Sequence, residues 1–318
     1  MLEQQLDLLA IDTVTSPYDV KDPSETNFET VHRYPRIRSS RVNFWMNIAV
    51  ATSFIQRIEV HYPDGVRDLP RHNLHVLLSA SKGSLKSTRL RQMRVCYPDR
   101  VILKDAVSYA ALVGSIDSDT KDSNVPLAIR ARGKVLAFDE MIRDREGHFT
   151  KALLQLLEDG EYSRDVAITP NNRKNILNSY WSVENGEIKV QSHFSAVIAT
   201  MQSPGMMSRT QLGGALLDRV VVLWHYTDYE ETKDYFTSSK PLYRDLGFKP
   251  APEVVVSEAD YLQIFNFWLE HDPTFECKRK LGDMIRTFAV LGRHDETVYK
   301  ELLALGRVEE LHVQRRRH

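Results

Sequence analysis

Residues 74–88 read LHVLLSASKGSLKST, an apolar run that ends in small and polar residues. The apolar part predicts a buried β-strand, and RLRQM directly after it predicts a helix. A strand, a short loop and a helix that begins near a lysine and a hydroxyl form the layout of a phosphate-binding loop. In such a loop, backbone N–H groups and the lysine hold phosphates, and the hydroxyl ligates magnesium. The loop residues expected to bind nucleotide are Gly83, Ser84, Lys86, Ser87 and Thr88, and Ser87 is also the expected metal ligand.

The loop departs from the usual pattern, which has glycine at the two positions that Ala80 and Leu85 occupy here. A Cβ at position 80 would crowd a phosphate if that residue required a positive φ. An ordinary strand-to-helix turn with a basic surface is the alternative interpretation of these residues. Motifs further along the chain decide between the two interpretations.

Composition sets broad limits on the class of protein. The chain has 318 residues, of which 42% are hydrophobic and 27% are charged, as is usual for a soluble globular protein with a large core. No run of eighteen apolar residues occurs, and the first residues lack the layout of a signal peptide, so we expect a cytoplasmic protein without a membrane segment. The two cysteines, Cys96 and Cys277, are too few and too far apart for a zinc ribbon or a disulfide framework. A net charge of −1 restricts any binding of nucleic acid to a local patch.

A second candidate strand ends in two adjacent carboxylates. Residues 133–141 read GKVLAFDEM, and a leucine-rich helix is predicted over residues 149–158. In this pattern Asp139 can hold the magnesium shell, and Glu140 can orient and deprotonate an attacking water. Strand ends are often acidic, but a pair of carboxylates about fifty residues after a phosphate-binding loop is typical of a nucleotide hydrolase.

Two further strands carry polar side chains at their ends. Residues 195–204 read SAVIATMQSP, in which Gln202, with Thr200 behind it, is the candidate contact to a γ-phosphate. Arg219 directly precedes another apolar strand. An arginine there can neutralise charge on a phosphoryl group bound to a neighbouring subunit, or it can be an ordinary ion-paired residue.

Residues 165–192 predict β-structure with a hairpin at Asn185-Gly186. Arg173 and Lys174 precede this hairpin, and a contact to DNA and a solvated basic loop are equally good interpretations of them.

The chain divides into three predicted regions. Residues 1–41 contain prolines and many polar residues and predict an extended arm with at most one short helix. Residues 42–228 form the predicted core, with a helix over 42–58 and an insertion at 112–133 that does not belong to the core. Residues 229–318 are predicted as a polar connector followed by a helical lid, whose first helix begins after an N-cap at Ser257.

In this order, the motifs resemble an AAA+ ATPase and, more narrowly, the ATPase module of the minichromosome maintenance (MCM) replicative helicases. Four stretches carry the resemblance: residues 75–87, residues 136–141 with 149–158, residues 216–223, and RKLGDMIR at 279–286. The resemblance covers roughly residues 45–300, and the order of the motifs is more specific than any one of them.

The resemblance implies an α/β fold, with an AAA+ P-loop core of parallel sheet between helices and a C-terminal helical lid. It also implies ATP and Mg²⁺, DNA held in a central pore, a homo-oligomer that is most simply a hexamer, and helicase or helicase-loading activity in DNA replication. By position it gives these roles: Lys86 on the phosphates, Ser87 and Asp139 on magnesium, Glu140 on the attacking water, Gln202 as first sensor, Arg219 as arginine finger, Arg279 as second sensor, and Arg173 and Lys174 in the region that grips DNA.

Two alternatives remain open at this point. One is a protein-remodelling or chelatase-type AAA+ ATPase that does not act on DNA, which the near-neutral net charge favours. The other is a nucleotide-binding scaffold without turnover, which the altered loop at Ala80 and Leu85 suggests.

Overall fold

The computed structural model describes residues 11–15, 28–80, 82–105, 107–114, 125–139, 147–165, 182–184, 187–200, 211–225, 229–273, 278–306 and 309–314. The helices are, in chain order, α1 (Ser39–Thr52), α2 (Lys86–Cys96), α3 (Tyr109–Val113), α4 (Leu127–Arg130), α5 (His148–Asp159), α6 (Gln211–Arg219), α7 (Tyr229–Ser238), α8 (Glu258–His271), α9 (Lys278–Leu291) and α10 (Glu296–Gly306). The strands are β1 (Ile11–Thr15), β2 (Phe28–Ile37), β3 (Arg57–Tyr62), β4 (Gly65–Asp68), β5 (Val76–Ser79), β6 (Val101–Lys104), β7 (Val135–Phe138), β8 (Glu161–Asp165), β9 (Ser182–Glu184), β10 (Glu187–Gln191), β11 (Ser195–Thr200), β12 (Val221–His225), β13 (Glu253–Val256) and β14 (Glu309–Gln314).

Five parallel strands form the centre of the main sheet. They lie side by side in the order β12, β5, β11, β7, β6. The first of the five along the chain, β5, therefore lies between the last two, β11 and β12. This arrangement confirms the predicted α/β class with a parallel sheet between helices.

The two faces of the sheet pack into two separate hydrophobic clusters. Successive side chains of a strand point to opposite faces, and Val76 and Leu78 accordingly join one cluster whereas Leu77 joins the other. The first cluster is completed by α1, α2 and α8 to α10, and the second by α3 to α6. Burial on both faces is the reason that these strands read as continuous apolar runs.

The segment predicted as an extended arm contributes two strands to the sheet. β2 pairs in parallel with β12 through Arg36 and Ile37, and antiparallel with β1 and β14. The polar composition of the arm concealed this arrangement because two of the three strand partners of β2, β12 and β14, lie far along the chain.

The helix predicted over residues 42–58 is present as α1, but it begins and ends earlier. Ile58 and Val60 instead alternate with more exposed residues in β3, where both are buried. β3 forms an antiparallel hairpin with β4 and pairs in parallel with β13. A strand with only two buried positions was too short to separate from the preceding helical pattern.

The prediction that residues 112–133 are an insertion outside the core is wrong for the two ends of this segment. Leu112 and Val113 of α3 are buried, as are Leu127 and Ala128 of α4. All four belong to the cluster beneath α5. The polar centre, residues 115–124, lies outside the described residues.

The C-terminal helices begin as the sequence predicts. Ser257 caps α8, since its side-chain oxygen accepts a hydrogen bond from the backbone N–H of Asp260 at 3.1 Å. α8, α9 and α10 pack on one another, and α9 also packs on α1. Their role as a lid stays a prediction. None of the helices in the described ranges is long and apolar enough to cross a lipid bilayer.

Candidate nucleotide-binding site

The carboxyl ends of the central strands meet at one edge of the sheet. Ser79, the last residue of β5, lies level with Thr200 of β11 and Trp224 of β12. Phe138, the last residue of β7, lies level with Ile198 of β11. The connection that follows β5 leads to β6 at one side of the sheet, whereas the connection that follows β11 leads to β12 at the other side. Such a topological switch point is where open α/β sheets bind ligands.

The loop after β5 closes around the side chain of Lys86. The Lys86 ammonium donates hydrogen bonds to the carbonyl oxygen of Ala80 at 2.7 Å and to Oγ of Ser84 at 2.9 Å. Burial lowers the pKa of Lys86 to about 8, although the negative charge of Asp139 acts in the opposite direction. The structure therefore brings Lys86 and Asp139 within electrostatic range of each other, as the two sequence motifs predict.

Two residues of the loop adopt left-handed backbone conformations. Gly83 has a φ of 79° and Leu85 a φ of 59°. Glycine tolerates this region and leucine does not, so strain falls on Leu85, directly before the first residue of α2. Ala80 is outside the left-handed region, and the condition under which its Cβ would crowd a phosphate is not met.

Asp139 follows β7, two strands away from the loop. Its backbone N–H donates to the carbonyl of Lys104 at 2.9 Å, which fixes the end of the strand. Since neighbouring strands lie about 4.8 Å apart, β5 and β7 are separated by about 10 Å with β11 between them. Gln202 lies two residues beyond the end of β11, and both Gln202 and Glu140 are outside the described residues.

Within the described ranges, no group of three His, Cys, Asp or Glu side chains could hold a metal ion by itself. A magnesium ion bound with a nucleotide takes most of its ligands from phosphate and water and needs only one or two from the protein. Ser87 at the start of α2 and Asp139 after β7 match that smaller requirement.

Sequence reasoning missed two buried residues behind the loop. His225 ends β12, and its pKa falls to about 3 because of burial and the nearby charges of Arg89 and Lys86. Arg89 donates to the carbonyl of Leu242 at 2.7 Å and forms a 2.7 Å ion pair with Glu231. The position of His225 at the end of an apolar strand was a usable signal. The sequence around Arg89 gave no such signal, because the partners of Arg89 lie far along the chain.

Arg219 and Arg279 come together at the opposite edge of the sheet. Nε of Arg219 lies 2.6 Å from Oε2 of Glu158, and Nη1 of Arg279 lies 2.5 and 2.7 Å from the two oxygens of the same carboxylate. Arg219 lies at the start of β12, whereas the phosphate-binding loop lies at the end of the neighbouring parallel strand β5. The two arginines are therefore separated from the loop of their own chain by the length of a strand, on the order of 15 Å. Glu158 was missed, since nothing near it in the sequence indicates its partners.

A buried ionic network lies beside this pair. Asp283 of α9 contacts Lys280 at 3.1 Å, Arg286 at 2.9 Å and Arg71 at 3.2 Å. Burial alone would raise the pKa of Asp283, but the three cations hold it at about 2. Arg71 and Arg286 also line an open cleft of about 450 Å³ together with Glu158 and Arg279.

The predicted DNA contacts, Arg173 and Lys174, lie outside the described residues. The strands after them, β9 and β10, pair antiparallel as the hairpin prediction requires. A comparison with models of known protein families finds no match to this chain, and a comparison with curated proteins finds no significant relative. The interpretation of the site therefore depends on the arrangement of its residues.

Proposed function

We propose that this chain is the ATP-hydrolysing subunit of a ring-forming motor of the MCM-like AAA+ class that acts on DNA. One observation carries the proposal. The loop that holds Lys86 and the strand that Asp139 follows open at the same edge of a parallel sheet, with the strand that leads to Gln202 between them.

The loop supports binding of a nucleoside triphosphate. Lys86 is held by two oxygen acceptors of its own loop, and phosphate oxygens are stronger partners for an ammonium because they carry charge. The amino terminus of α2 adds N–H groups and the positive end of a helix dipole. ATP phosphates would therefore replace Ala80 and Ser84 as acceptors for Lys86.

The carboxylates supply the remaining chemistry. Ser87 and Asp139 would hold magnesium, which neutralises charge on the phosphates when it is bound. Glu140 would orient the attacking water and accept its proton. Gln202 would donate to the γ-phosphate from the end of β11. Each role uses the residue type that this chemistry requires.

The position of Arg219 and Arg279 supports an oligomer. Both arginines lie at the edge of the sheet that is remote from the loop of their own chain, so they could act only on the nucleotide of a neighbour. A contact that joins one edge of a subunit to the opposite edge of the next is heterologous and closes into a ring when its rotation allows. A hexamer around a pore is the simplest such ring, and Arg173 and Lys174 before the β9–β10 hairpin are the proposed contacts to DNA in that pore.

Steady-state ATP hydrolysis with and without single-stranded DNA tests the proposal. We expect turnover that DNA increases and that Glu140→Gln abolishes. Glu161→Gln is the matched control, because Glu161 lies in β8 and pairs with Lys189 at 3.1 Å. Turnover that is indifferent to DNA would favour a protein-remodelling ATPase, and ATP binding without turnover would favour a scaffold.

Mixing two inactive variants tests the contribution of the neighbour. Lys86→Ala removes nucleotide binding but keeps Arg219, whereas Arg219→Ala keeps the loop and removes the arginine. In a mixed ring, some interfaces combine an intact loop with an intact arginine, so part of the activity should return. If the mixture stays as inactive as either variant alone, Arg219 does not act across an interface.

A further inference from the structure

Glu158 is the one carboxylate that contacts both Arg219 and Arg279 in the described part of the chain. It contacts Arg219 through Nε and Arg279 through Nη1, so Nη2 of each guanidinium takes part in neither contact. Arg219 is further fixed by a 2.8 Å hydrogen bond from Nη1 to the carbonyl oxygen of Ala215. The two side chains are thus held side by side and still keep donors for another anion.

The negative charge of Glu158 is required for this arrangement. Two guanidinium groups that approach the same point repel each other unless an anion lies between them. Partial burial raises the pKa of Glu158, but the hydrogen bond from Arg279 and the charges of Arg219, Arg279 and Arg71 lower it more, so the net shift is downward. Glu158 is therefore ionised at neutral pH.

The helix that carries Glu158 runs between the two edges of the sheet. α5 begins at His148, shortly after the carboxylates that follow β7, and ends at Asp159 beside Arg219. Its twelve residues span about 18 Å. Leu153, Leu156 and Leu157 are buried beneath it, so α5 is packed against the core along its length.

We propose that Glu158 is a positioning residue that sets Arg219 and Arg279 for the nucleotide of the neighbouring subunit and, through α5, couples them to Asp139 of its own site. This inference rests on the proposed function. It adds a physical link between successive sites of a ring, because α5 begins shortly after Asp139 along the chain and ends beside the arginines proposed to serve the next site.

The opposite role is an inhibitory latch, in which Glu158 competes with the phosphate for the arginines. The two roles predict opposite changes in turnover. Removal of the charge lowers turnover if Glu158 positions the arginines and raises it if Glu158 restrains them. The Nη2 groups that the contacts leave unused favour positioning.

The test compares Glu158→Gln with Glu161→Gln, the same substitution three residues further along. We expect Glu158→Gln to lower kcat on the order of 10- to 100-fold, to leave the Kd for ATP unchanged, and to reduce the Hill coefficient for ATP towards 1. Glu161→Gln should match the wild type in all three. Unchanged or increased turnover in Glu158→Gln would overturn the inference.

A second arm shows whether Glu158 acts through the arginines. In an Arg279→Ala background, which keeps Arg219, Glu158→Gln should lower kcat by a smaller factor than it does in the wild type. If Glu158→Gln does not fold, Glu158→Asp keeps the charge but shortens the reach, and a kcat equal to that of the wild type would count against positioning. A wild-type chain that hydrolyses no ATP would remove the proposed function and this inference together, whereas an active wild type with an equally active Glu158→Gln would remove the inference alone.

Discussion

Lys86 and Ala80 close the candidate phosphate-binding loop on itself. The ammonium of Lys86 donates to the carbonyl oxygen of Ala80 at 2.7 Å, and its side chain is only 6% exposed. The lysine that would meet a phosphate is therefore held in place by the first residue of its own loop. Burial of this charge is the physical reason for its lowered pKa.

The affinity for ATP should fall as the pH rises through about 8, the pKa of Lys86. Below that pH the side chain is charged and attracts phosphate, whereas above it the free protein carries a neutral amine. Each further pH unit should weaken binding by up to about tenfold until the pKa of the bound state is reached. Titration calorimetry with a non-hydrolysable ATP analogue between pH 7 and 9.5 measures this dependence.

Lys86→Arg is the control for this prediction. A guanidinium stays charged throughout the same pH range. Its affinity for ATP is expected to be lower than that of the wild type but nearly constant with pH. A wild-type affinity that also stays constant up to pH 9.5 would show that Lys86 is not the group that titrates.

Leu85 should be a source of strain in the folded chain. Its φ of 59° is unfavourable for a residue with a Cβ. Leu85→Gly and Leu85→Ala both remove the leucine side chain, but only glycine relieves the backbone. We expect Leu85→Gly to be more stable than Leu85→Ala by about 1 kcal/mol in urea unfolding. Equal stabilities would mean that the left-handed conformation costs little here.

The sequence predicted the parts of the site that depend on local order. Lys86 and Asp139 were predicted from a strand, a loop and a second strand, because parallel strands bring their carboxyl ends to one edge. The link between Glu158, Arg219 and Arg279 was not predictable, since it joins the ends of three helices that are distant in the sequence. Strand β2 was missed for the same reason, because its pairing depends on β12 and β14, which lie far along the chain, and β1 pairs in turn with β2.

Asp283 should be essential for the stability of the folded chain. It lies buried among Lys280, Arg286 and Arg71, and its loss leaves three cations without their shared anion. Asp283→Asn is expected to lower the free energy of unfolding by about 3 to 5 kcal/mol. Asp99→Asn, at an exposed position, should change it by less than about 0.5 kcal/mol.

Acid should remove part of this stabilisation from the wild type. The pKa of Asp283 is about 2 when folded and 3.8 ordinarily, so its contribution is present above the ordinary pKa and is lost as the pH falls towards 2. The shift corresponds to about 2 kcal/mol. The difference between the urea midpoints of the wild type and Asp283→Asn should become smaller as the pH falls from 7 to 2.5. A constant difference between the two would contradict this assignment.

Arg89 should hold α7 against the helix that comes directly after the phosphate-binding loop. Its buried guanidinium pairs with Glu231 of α7 and donates to the carbonyl of Leu242. Arg89→Ala leaves the Glu231 carboxylate without this cation, and we expect a loss of about 3 kcal/mol. Arg91→Ala, on the exposed side of the same helix, is the matched control and should have little effect.

Because α7 has no buried residue of its own, Arg89→Ala should also make residues 229–246 more sensitive to limited proteolysis under conditions in which the rest of the chain stays folded. Equal cleavage of the two variants in that segment would show that α7 is held by other contacts.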